Sequence, residues 1–531
     1  MSWTEAIALN RALVRKGETD LNVIVSGSAV DSAFWQQSVG AVKQDTLRED
    51  GQVQIVSLAE EQPLGNFLGT VNAWAGMTRS MSSPPSRGVS LLNMVFGKGK
   101  RFSPFTQALG NRKAAFPTPL RARHSGAYLR TGDLATLYSN SWLDQLRARH
   151  FNGILIKWGD EAVIPSLQWN PAEHDFGDVD LVRCVWKTEP TEVFAREKEW
   201  FVINDESGLI ERMIPRQNLA SLVAELSSYQ GRRISTAVNL GSIAVSYQFL
   251  RLASQVFGPT LDSRGVSADW DPYAIVLLLA AEDSPEAQGR SASPTVQAGL
   301  AQAEARCPGL LAKMKELRAL ILQTMGRPLR MGFLDFGEAF WVDIGLHTTL
   351  RRCLDALTAG DAAGQATRAF FDIPEQRDAN GNILIDSQVP DGARIRNSVI
   401  INSTITDPRS VLEGAVVVAA RHQHLAMPSG GASLFCAVRD MQFDGDRGIA
   451  FRSVGDSLNV PAGGRHTSLF LPDRIVPMVS NESIKSYDDA EYAQPILGNS
   501  LSFEEAGNLV GALDPQQLEA RWKSAWLATA L

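Results

Sequence analysis

Two short apolar runs near the start of the chain constrain its fold more than any other feature. LNVIVSG, which ends at Gly27, and VQIVSL are rich in β-branched residues, and DSAFWQQSVGAVKQ between them has helical spacing. A buried strand, a helix and a second buried strand at this spacing indicate a βαβ unit, which requires a parallel sheet. Because strands and helices keep alternating to roughly residue 280, the sequence predicts an α/β domain with a mostly parallel sheet.

Composition excludes several classes of protein. The chain has 531 residues and a formal net charge of −7, which gives no electrostatic support to a nucleic-acid-binding role. The four cysteines are far apart and form no CxxC pair, as expected in a reducing compartment. The longest apolar run, AIVLLLAA at 274–281, is too short to span a bilayer. We therefore expect a soluble cytoplasmic protein with no membrane partner.

The pattern changes near residue 389, where apolar residues recur every six positions. A six-residue period fits neither a helix nor an alternating strand, but it suits a parallel β-helix whose coil has three sides. We expect this hexad region to be short, under two coils. The residues in this pattern are Val389, Ile395 and Ile401 in one series, and Val399, Ile405, Val411 and Val417 in a second.

Three loops carry residues suited to phosphate chemistry. After the run LLNMVF, a Gly97–Lys98–Gly99–Lys100–Arg101 turn combines close backbone approach with positive charge, although a solvated surface turn explains it as well. Asp160 follows the buried strand GILIKW, and Asp343 ends the apolar run FWV. Each aspartate alone could be a cap or turn residue, whereas two carboxylates at neighbouring strand ends could share one Mg²⁺.

Taken together, these segments resemble the sugar-1-phosphate nucleotidyltransferases. That family carries a GxGxRxxPxT-type loop followed by Lys and Pro, a later Gly-Asp after a strand, and a WxDxGT segment. A Gln- and Gly-containing segment, QPLGNFLGTVNAW, lies before the glycine-rich loop rather than after it, so the order is similar to the circularly permuted fucose-1-phosphate guanylyltransferase type. The matching residues here are Gly97, Gly99, Arg101, Pro104, Thr106, Lys113, Pro117, Gly159, Asp160, Trp341, Asp343 and Gly345.

The resemblance implies a fold and a domain plan. The amphipathic start of the chain predicts an N-terminal helix, placed at 1–20. The resemblance implies a Rossmann-like nucleotidyltransferase domain at 21–370 and a C-terminal domain at 371–531 that contains a short left-handed parallel β-helix. It also implies that an NTP, with GTP favoured, and a sugar-1-phosphate react to give an NDP-sugar and pyrophosphate. The C-terminal domain is a candidate surface for homo-oligomerisation.

The resemblance also implies a role for each candidate residue. Asp160 and Asp343 would hold Mg²⁺, and Arg101 and Lys113 would act on the triphosphate. The implied nucleotide-binding residues are Gln62, Gly65, Gly69, Thr70, Gly97, Lys98, Gly99 and Lys100. The implied sugar-phosphate residues are Glu189, Asn239, Gly241, Ser242 and Arg216, the last in place of the lysine of the family's Glu-Lys-Pro segment.

Other functions remain open at this point. The altered Glu-Lys-Pro segment would suit a protein that binds a nucleotide sugar without turnover. An acyltransferase centred on the hexad region would have only His422 and His424 as base candidates. In a third interpretation the hexad region serves assembly alone.

Overall fold

The protein is described by a computed structural model that covers residues 1–14, 21–46, 54–60, 62–81, 85–95, 99–122, 124–167, 174–270, 294–484 and 489–529. Gly97, Lys98 and the apolar run at 274–281 lie outside these residues. Within them, no helix has the length and apolar character that crossing a membrane requires.

The larger part of the chain alternates helices and strands. In chain order these elements are α1 (Trp3–Val14), β1 (Leu21–Ser26), α2 (Ala29–Thr46), β2 (Gln54–Ala59), α3 (Gly65–Ser80), β3 (Val89–Met94), α4 (Phe105–Ala108), β4 (Pro117–Arg121), β5 (Tyr128–Arg130), α5 (Thr131–Leu137), α6 (Asn140–Ala148), β6 (Gly153–Trp158), β7 (Glu161–Ile164), β8 (Leu181–Lys187), α7 (Glu192–Glu197), β9 (Trp200–Asn204), β10 (Leu209–Ile214), α8 (Leu219–Leu226), β11 (Ile234–Ser246), α9 (Tyr247–Leu261), α10 (Pro294–Arg306), α11 (Leu310–Met325), β12 (Met331–Asp335), β13 (Phe340–Asp343), α12 (His347–Thr358) and α13 (Ala362–Phe371).

A mixed sheet forms the centre of this part, with the order β10-β9-β11-β6-β3-β1-β2 and with β8 joining β11 to β12. Strands β2, β1, β3 and β6 are parallel, as the sequence predicts, while β11 runs antiparallel to its neighbours. The alternation of β1 explains why both faces are covered. Val23 and Val25 pack with α3, whereas Ile24 packs with Trp35 of α2 on the other face.

The chain reverses its direction of sheet growth at β1. Strand β2 lies on one side of β1 and β3 on the other, so the crevice beyond the carboxyl ends of β1 and β3 is a topological switch point. Ligands of open α/β sheets bind at such crevices. The loops that follow β2, β3 and β6 all lie at this edge, and they carry most of the candidate residues.

The C-terminal part stacks parallel strands in successive turns. Its elements are β14 (Ile383–Ile385), β15 (Arg394–Arg396), β16 (Val399–Ile401), β17 (Thr404–Ile405), β18 (Val411–Glu413), β19 (Val416–Val418), β20 (Arg421–Met427), β21 (Ala432–Leu434), β22 (Ala437–Phe443), β23 (Ile449–Phe451), β24 (Val454–Val460), β25 (Gly464–Phe470), β26 (Ile475–Asn481), α14 (Asp489–Ala493), α15 (Phe503–Gly511) and α16 (Pro515–Ala528).

Parallel pairing joins β14, β16, β19, β21, β23 and β25 in one sheet, and β15, β18, β20, β22 and β24 in another. The hexad positions 399, 405, 411 and 417 fall on consecutive strands, β16 to β19. The stack is longer than the expected length of under two coils. A left-handed β-helix stays a prediction, because strand pairing establishes the parallel stacking and not the hand of the coil.

Candidate functional site

A short antiparallel ladder brings two distant aspartates together. Strand β6 ends at Trp158, a tight turn contains Asp160, and β7 then pairs with β13 so that Asp343 lies opposite Glu161. The Ile344 N–H donates to the Asp160 carbonyl at 3.1 Å. The segments after β6 and after β13 are therefore adjacent at the edge of the sheet.

The side chains of these segments converge on Gly345. A Cβ on Gly345 would lie 2.7 Å from Lys113 Nζ and 3.0 Å from Asp343 Oδ1, and closer still to Asp160 Oδ2. Lys113 Nζ forms an ion pair with Asp160 Oδ2, and the Gly345 N–H donates to Asp343 Oδ1 at 2.6 Å. Three of the charged candidate residues thus share one small space, which exists because position 345 has no side chain.

The glycine-rich turn closes over this space. Gly99 has φ +58°, and a Cβ there would lie 2.7 Å from Thr106 Oγ1 and 3.2 Å from Lys113 Cβ. Thr106 Oγ1 donates to the Gly99 carbonyl at 3.0 Å, which holds the turn against Lys113. Arg101 is exposed, and Lys100 Nζ lies 4.7 Å from the ring centroid of Tyr492. The turn therefore presents Arg101 to solvent at the mouth of the site.

Burial and neighbouring charges raise the pKa of two carboxyl groups of the site, those of Asp343 and Glu161. Burial raises the pKa of Asp343, and repulsion by Asp160 raises it further, while the Gly345 amide, Lys113 and Arg101 act in the opposite direction. Burial also raises the pKa of Glu161 to about 7, against the attraction of Lys157. Burial lowers the pKa of Lys157 in turn. An added cation would relieve this crowding of negative charge.

The donor set at Gly345 fits Mg²⁺ in part. Asp160 and Asp343 supply hard carboxylate oxygens at one point, and Mg²⁺ characteristically takes one or two carboxylates together with substrate phosphates. In the described part of the chain, no group of three or more His, Cys, Asp or Glu residues is arranged to hold a metal. The arrangement thus fits a metal that binds together with a phosphate rather than a closed structural metal site.

A break in the sheet lies beside the carboxylates. Strand β11 pairs with β8 on one edge, and on its other edge with β9 at 234–238 and then with β6 at 243–246. Residues 239–242 bridge this gap, and Gly241, at φ +94°, would place a Cβ 3.5 Å from Trp158 Nε1 and 3.6 Å from Glu161 Oε1. Asn239 Oδ1 accepts from the Gly241 N–H at 3.0 Å. Ser242 is buried and its Oγ has no partner among the described residues.

Arg216 is connected to Asn239 through Glu199, whereas Glu189 lies on the surface. Arg216 Nε lies 2.7 Å from Glu199 Oε1, and Glu199 Oε2 accepts from Asn239 Nδ2 at 3.4 Å. The Arg216 charge is thus already partnered by a carboxylate. Glu189 is exposed and lies two positions after the end of β8.

The loop before α3 is occupied by another part of the chain. The Phe67 and Leu68 N–H groups donate to the Ala268 carbonyl at 2.9 and 3.2 Å, and a Cβ on Gly65 would lie 2.6 Å from the same oxygen. Gln62 Nε2 donates to the carbonyls of Leu261 and Ser263. The structure therefore gives this loop structural partners instead of an open surface.

Gly69 and Thr70 lie within α3 rather than in a loop. Both are buried, and Thr70 Oγ1 donates to the Asn66 carbonyl at 2.6 Å and accepts from Trp270 Nε1 at 3.3 Å. A nucleobase could reach these groups only if these contacts were exchanged.

The two histidines of the acyltransferase alternative do not form a catalytic pair. His422 is buried, bonded to Ser433 Oγ through Nε2 at 2.8 Å, and burial lowers its pKa to about 3. His424 pairs with Asp440 on the surface of the stack at 2.7 Å. The burial pattern of β20 explains this, because His422 is buried like Leu425 and Met427, whereas His424 is partly exposed.

Sequence reasoning missed three residues that adjoin the site, namely Glu161, Lys198 and Glu199. Glu161 follows the singled-out Asp160 directly, so its position before an apolar run was a usable signal. Lys198 and Glu199 lie in the charged stretch REKEW ahead of β9, where nothing local separates a site residue from a solvated one.

The packing behind the glycine-rich turn comes from the C-terminal part. Phe116 and Phe451 ring centroids lie 4.7 Å apart, and Asn111 Nδ2 donates to the Gly507 carbonyl at 2.6 Å. Gln107 Nε2 donates to the Phe503 carbonyl at 3.3 Å. The stacked strands and α15 therefore support the segment between Arg101 and Lys113 from behind.

Comparison with known proteins gives little. No family model and no curated protein matches the chain. One matching solved structure is described as a "Putative Glucose-1-Phosphate Thymidylyltransferase from Bacillus anthracis in Complex with a Sucrose"; it is 10% identical, with a TM-score of 0.19, and the match covers 67% of this chain and 98% of that chain. A TM-score this low does not establish a shared fold, so the function proposed below depends on the geometry of the site.

Proposed function

We propose that the protein is a sugar-1-phosphate nucleotidyltransferase that requires Mg²⁺ and joins an NTP to a sugar-1-phosphate. In this reaction an oxygen of the sugar phosphate forms a bond to the α-phosphorus of the NTP. The bond from the α-phosphorus to the bridging oxygen breaks, and pyrophosphate leaves with that oxygen. The fucose-type motif order favours GTP as the NTP.

The convergence of Lys113, Asp160 and Asp343 at Gly345 carries this proposal. Two anions must be aligned and their repulsion reduced, and little covalent work is asked of the protein. Positive charge from Arg101 and Lys113 and a carboxylate pair suited to a divalent cation meet at the switch point of the sheet. Such a combination suits phosphoryl chemistry better than it suits packing, because Lys113, Asp160 and Asp343 are charged and only partly buried.

The residues take the following roles in the proposal. Asp160 and Asp343 would hold Mg²⁺, which supplies charge neutralisation at the phosphates. Lys113 would exchange its ion pair with Asp160 for the α-phosphate, and Arg101 would bind the departing β- and γ-phosphates. Sequence resemblance assigns the sugar to Asn239, Gly241 and Ser242, which lie at the break in the sheet.

A second candidate is a protein on the same fold that binds a nucleotide sugar without turnover. Two contacts favour it, because each occupies groups that resemblance assigns to a substrate. Arg216 is paired with Glu199, and the N–H groups at the start of α3 donate to Ala268. Assembly through the stacked C-terminal strands is compatible with either candidate and remains a proposal.

Pyrophosphate release separates the two candidates. The full chain is incubated with each of the four NTPs and a panel of sugar-1-phosphates, with Mg²⁺ and with EDTA. We expect release that needs both substrates and stops with EDTA. Binding of a nucleotide sugar in the absence of any release would instead support the second candidate.

A further inference from the structure

A cavity of about 410 Å³ lies against β13. Its volume is in the range of small-ligand sites, about 300–1,000 Å³. The walls come from α1, the segment before β9, β13 and α12, and the residues relevant here are Trp3, Lys198, Trp341, Asp343, Thr349 and Arg352. Because Asp343 is both a wall of the cavity and a member of the carboxylate pair, the cavity adjoins the proposed reaction centre.

The cavity has an excess of positive charge. Lys198 and Arg352 line it, and neither has an ion-pair partner within 4.0 Å in the described part of the chain. Lys198 Nζ lies 3.9 Å from the ring centroid of Trp341, which places the ammonium over an aromatic face. Arg352 is exposed on the second turn of α12. Two cations against one carboxylate favour an anionic ligand.

Helix α12 adds to this preference. It runs for 12 residues from His347, its N-cap residue Leu346 provides no side-chain acceptor, and Thr349 of its first turn lines the cavity. The amides of an uncapped first turn favour negative charge nearby. The cavity follows α12 from Thr349 as far as Ala356, so the first turn of the helix lies at one end of it.

An aromatic wall completes the cavity. Trp3 is held by a hydrogen bond from its Nε1 to the Glu338 carbonyl at 2.7 Å, and its ring lies 6.0 Å from that of Phe340. A fixed indole beside a cationic cluster suits a ligand with an apolar ring face and a charged end. A monosaccharide phosphate has both.

We propose that this cavity binds the phosphate-bearing acceptor, with Lys198 and Arg352 on its phosphate and Trp3 against its sugar ring. The proposal rests on the proposed nucleotidyltransferase function for the identity of the acceptor. It moves the phosphate from Arg216, which is paired with Glu199, to Lys198 and Arg352. It also moves the sugar ring from Asn239, Gly241 and Ser242, where sequence resemblance puts it, to the wall formed by Trp3.

Direct binding tests the proposal without the reaction. The full chain, without NTP or Mg²⁺, is titrated calorimetrically with glucose 1-phosphate, fucose 1-phosphate and myo-inositol 1-phosphate, and with glucose as the uncharged control. We expect at least one phosphate to bind and glucose to bind far more weakly. We expect Lys198→Met and Arg352→Gln each to raise its Kd about tenfold or more, as for other hydrogen bonds to charged groups.

Arg196→Gln is the matched control, because Arg196 is two residues from Lys198, exposed and paired with Glu192 outside the cavity. Trp3→Phe should weaken binding less than either cation variant. No binding by all three phosphates at millimolar concentration overturns the proposal, as does an equal Kd in Lys198→Met, Arg352→Gln and Arg196→Gln.

Pyrophosphate release distinguishes this proposal from the function itself. If release occurs and the two cation variants raise the KM of the NTP but not that of the sugar phosphate, the cavity assignment fails and the function stands. If the cavity binds a sugar phosphate but no NTP yields pyrophosphate, the function fails and the binding assignment stands.

Discussion

Two loops at the same edge of the sheet each contain a glycine with positive φ, but the residues that surround these glycines differ. Gly99 follows β3 and Gly65 follows β2, and both have positive φ, +58° and +77°. Lys113 lies beside Gly99, close to Asp160 and Asp343. The main chain of Ala268 lies against Gly65. Glycine after a strand thus permits close approach of another group to the backbone. Whether the approaching group is a charged side chain or main chain determines whether the loop suits a ligand or stabilises the fold.

The two loops also differ in how their polar groups are satisfied. The amides at the start of α3 donate to the Ala268 carbonyl and to Asp269 Oδ1, so they already have hydrogen-bond partners within the fold. Glu60, just before that loop, is buried with a pKa raised to about 7, but it accepts the Leu64 N–H and so serves as a cap. At the other loop, like charges face each other across Gly345. A carboxyl group whose pKa is raised by burial and by a second carboxylate, as that of Asp343 is, is characteristic of functional sites.

Neutralising the carboxylates of Asp160 and Asp343 is the strongest test of the difference between the two loops. Asp160→Asn and Asp343→Asn should each lower kcat for pyrophosphate release about 10²–10³-fold, the loss typical of removing one preorganised charge contact. Because folding raises the pKa of Asp343, Asp343→Asn should keep or increase the melting temperature at pH 7.

Asp473→Asn, on an exposed turn, is the control for both variants and should leave kcat unchanged. Turnover within tenfold of the wild-type value in Asp160→Asn would remove Asp160 from the site.

A methyl group at the point of convergence should have the next largest effect. Gly345 does not have positive φ, so alanine fits the backbone, but its Cβ would displace Lys113, Asp160 and Asp343. Misplacing reacting groups by such a distance costs about 10- to 100-fold in rate. Gly360→Ala, which meets no atom within 4 Å, should leave kcat unchanged. Equal kinetics in both variants would show that the Gly345 space is not used.

Removing the exposed charge of Arg101 in the glycine-rich turn tests the solvent-facing side of the same site. Arg101→Ala should raise the KM for NTP and lower kcat by about tenfold, the effect of losing one hydrogen bond to a charged group. Arg87→Ala, on the exposed segment before β3, provides the control. An effect on melting temperature without an effect on KM would favour a solvated surface turn.

A pH titration of stability should reveal the strained carboxyl beside the site. The pKa of Glu161 rises from 4.5 to about 7 on folding, so the folded state binds more protons between these values and stability falls as pH rises. The full contribution is on the order of 3 kcal/mol. Glu161→Gln should lose this fall in unfolding free energy between pH 4.5 and 7, measured by urea denaturation, relative to wild type. Parallel curves for the two proteins would contradict the assignment.

The sequence predicted those features of the fold that depend on a short-range pattern of residues. Buried apolar runs predicted the parallel strands β1, β2, β3 and β6, and the polar residues after them were found at the expected edge. The sequence pattern could not predict the β7–β13 register, because this register joins residues about 180 positions apart. The convergence at Gly345 follows from that register.

The C-terminal stack shows a different limit. Its turns advance by 16 or 17 residues, as the pairs of β14, β16, β19, β21 and β23 show, instead of the 18 that three hexads would give. Polar residues such as His422 and Ser433 also occupy buried positions and bond to each other. Both effects end the apolar period in the sequence well before the stack ends.

The loop before α3 offers the smallest expected effect and the last test of the comparison. Resemblance predicts that Gln62 reads the base, but its amide donates to the carbonyls of Leu261 and Ser263 at 3.3 and 3.4 Å. Gln62→Ala should therefore change the KM for each NTP by less than about threefold and lower the unfolding free energy by about 1 kcal/mol, the value of typical hydrogen bonds. A loss of discrimination among the four NTPs at unchanged stability would contradict this, because it would mean that the contacts with Leu261 and Ser263 give way to a base and that both loops belong to one site.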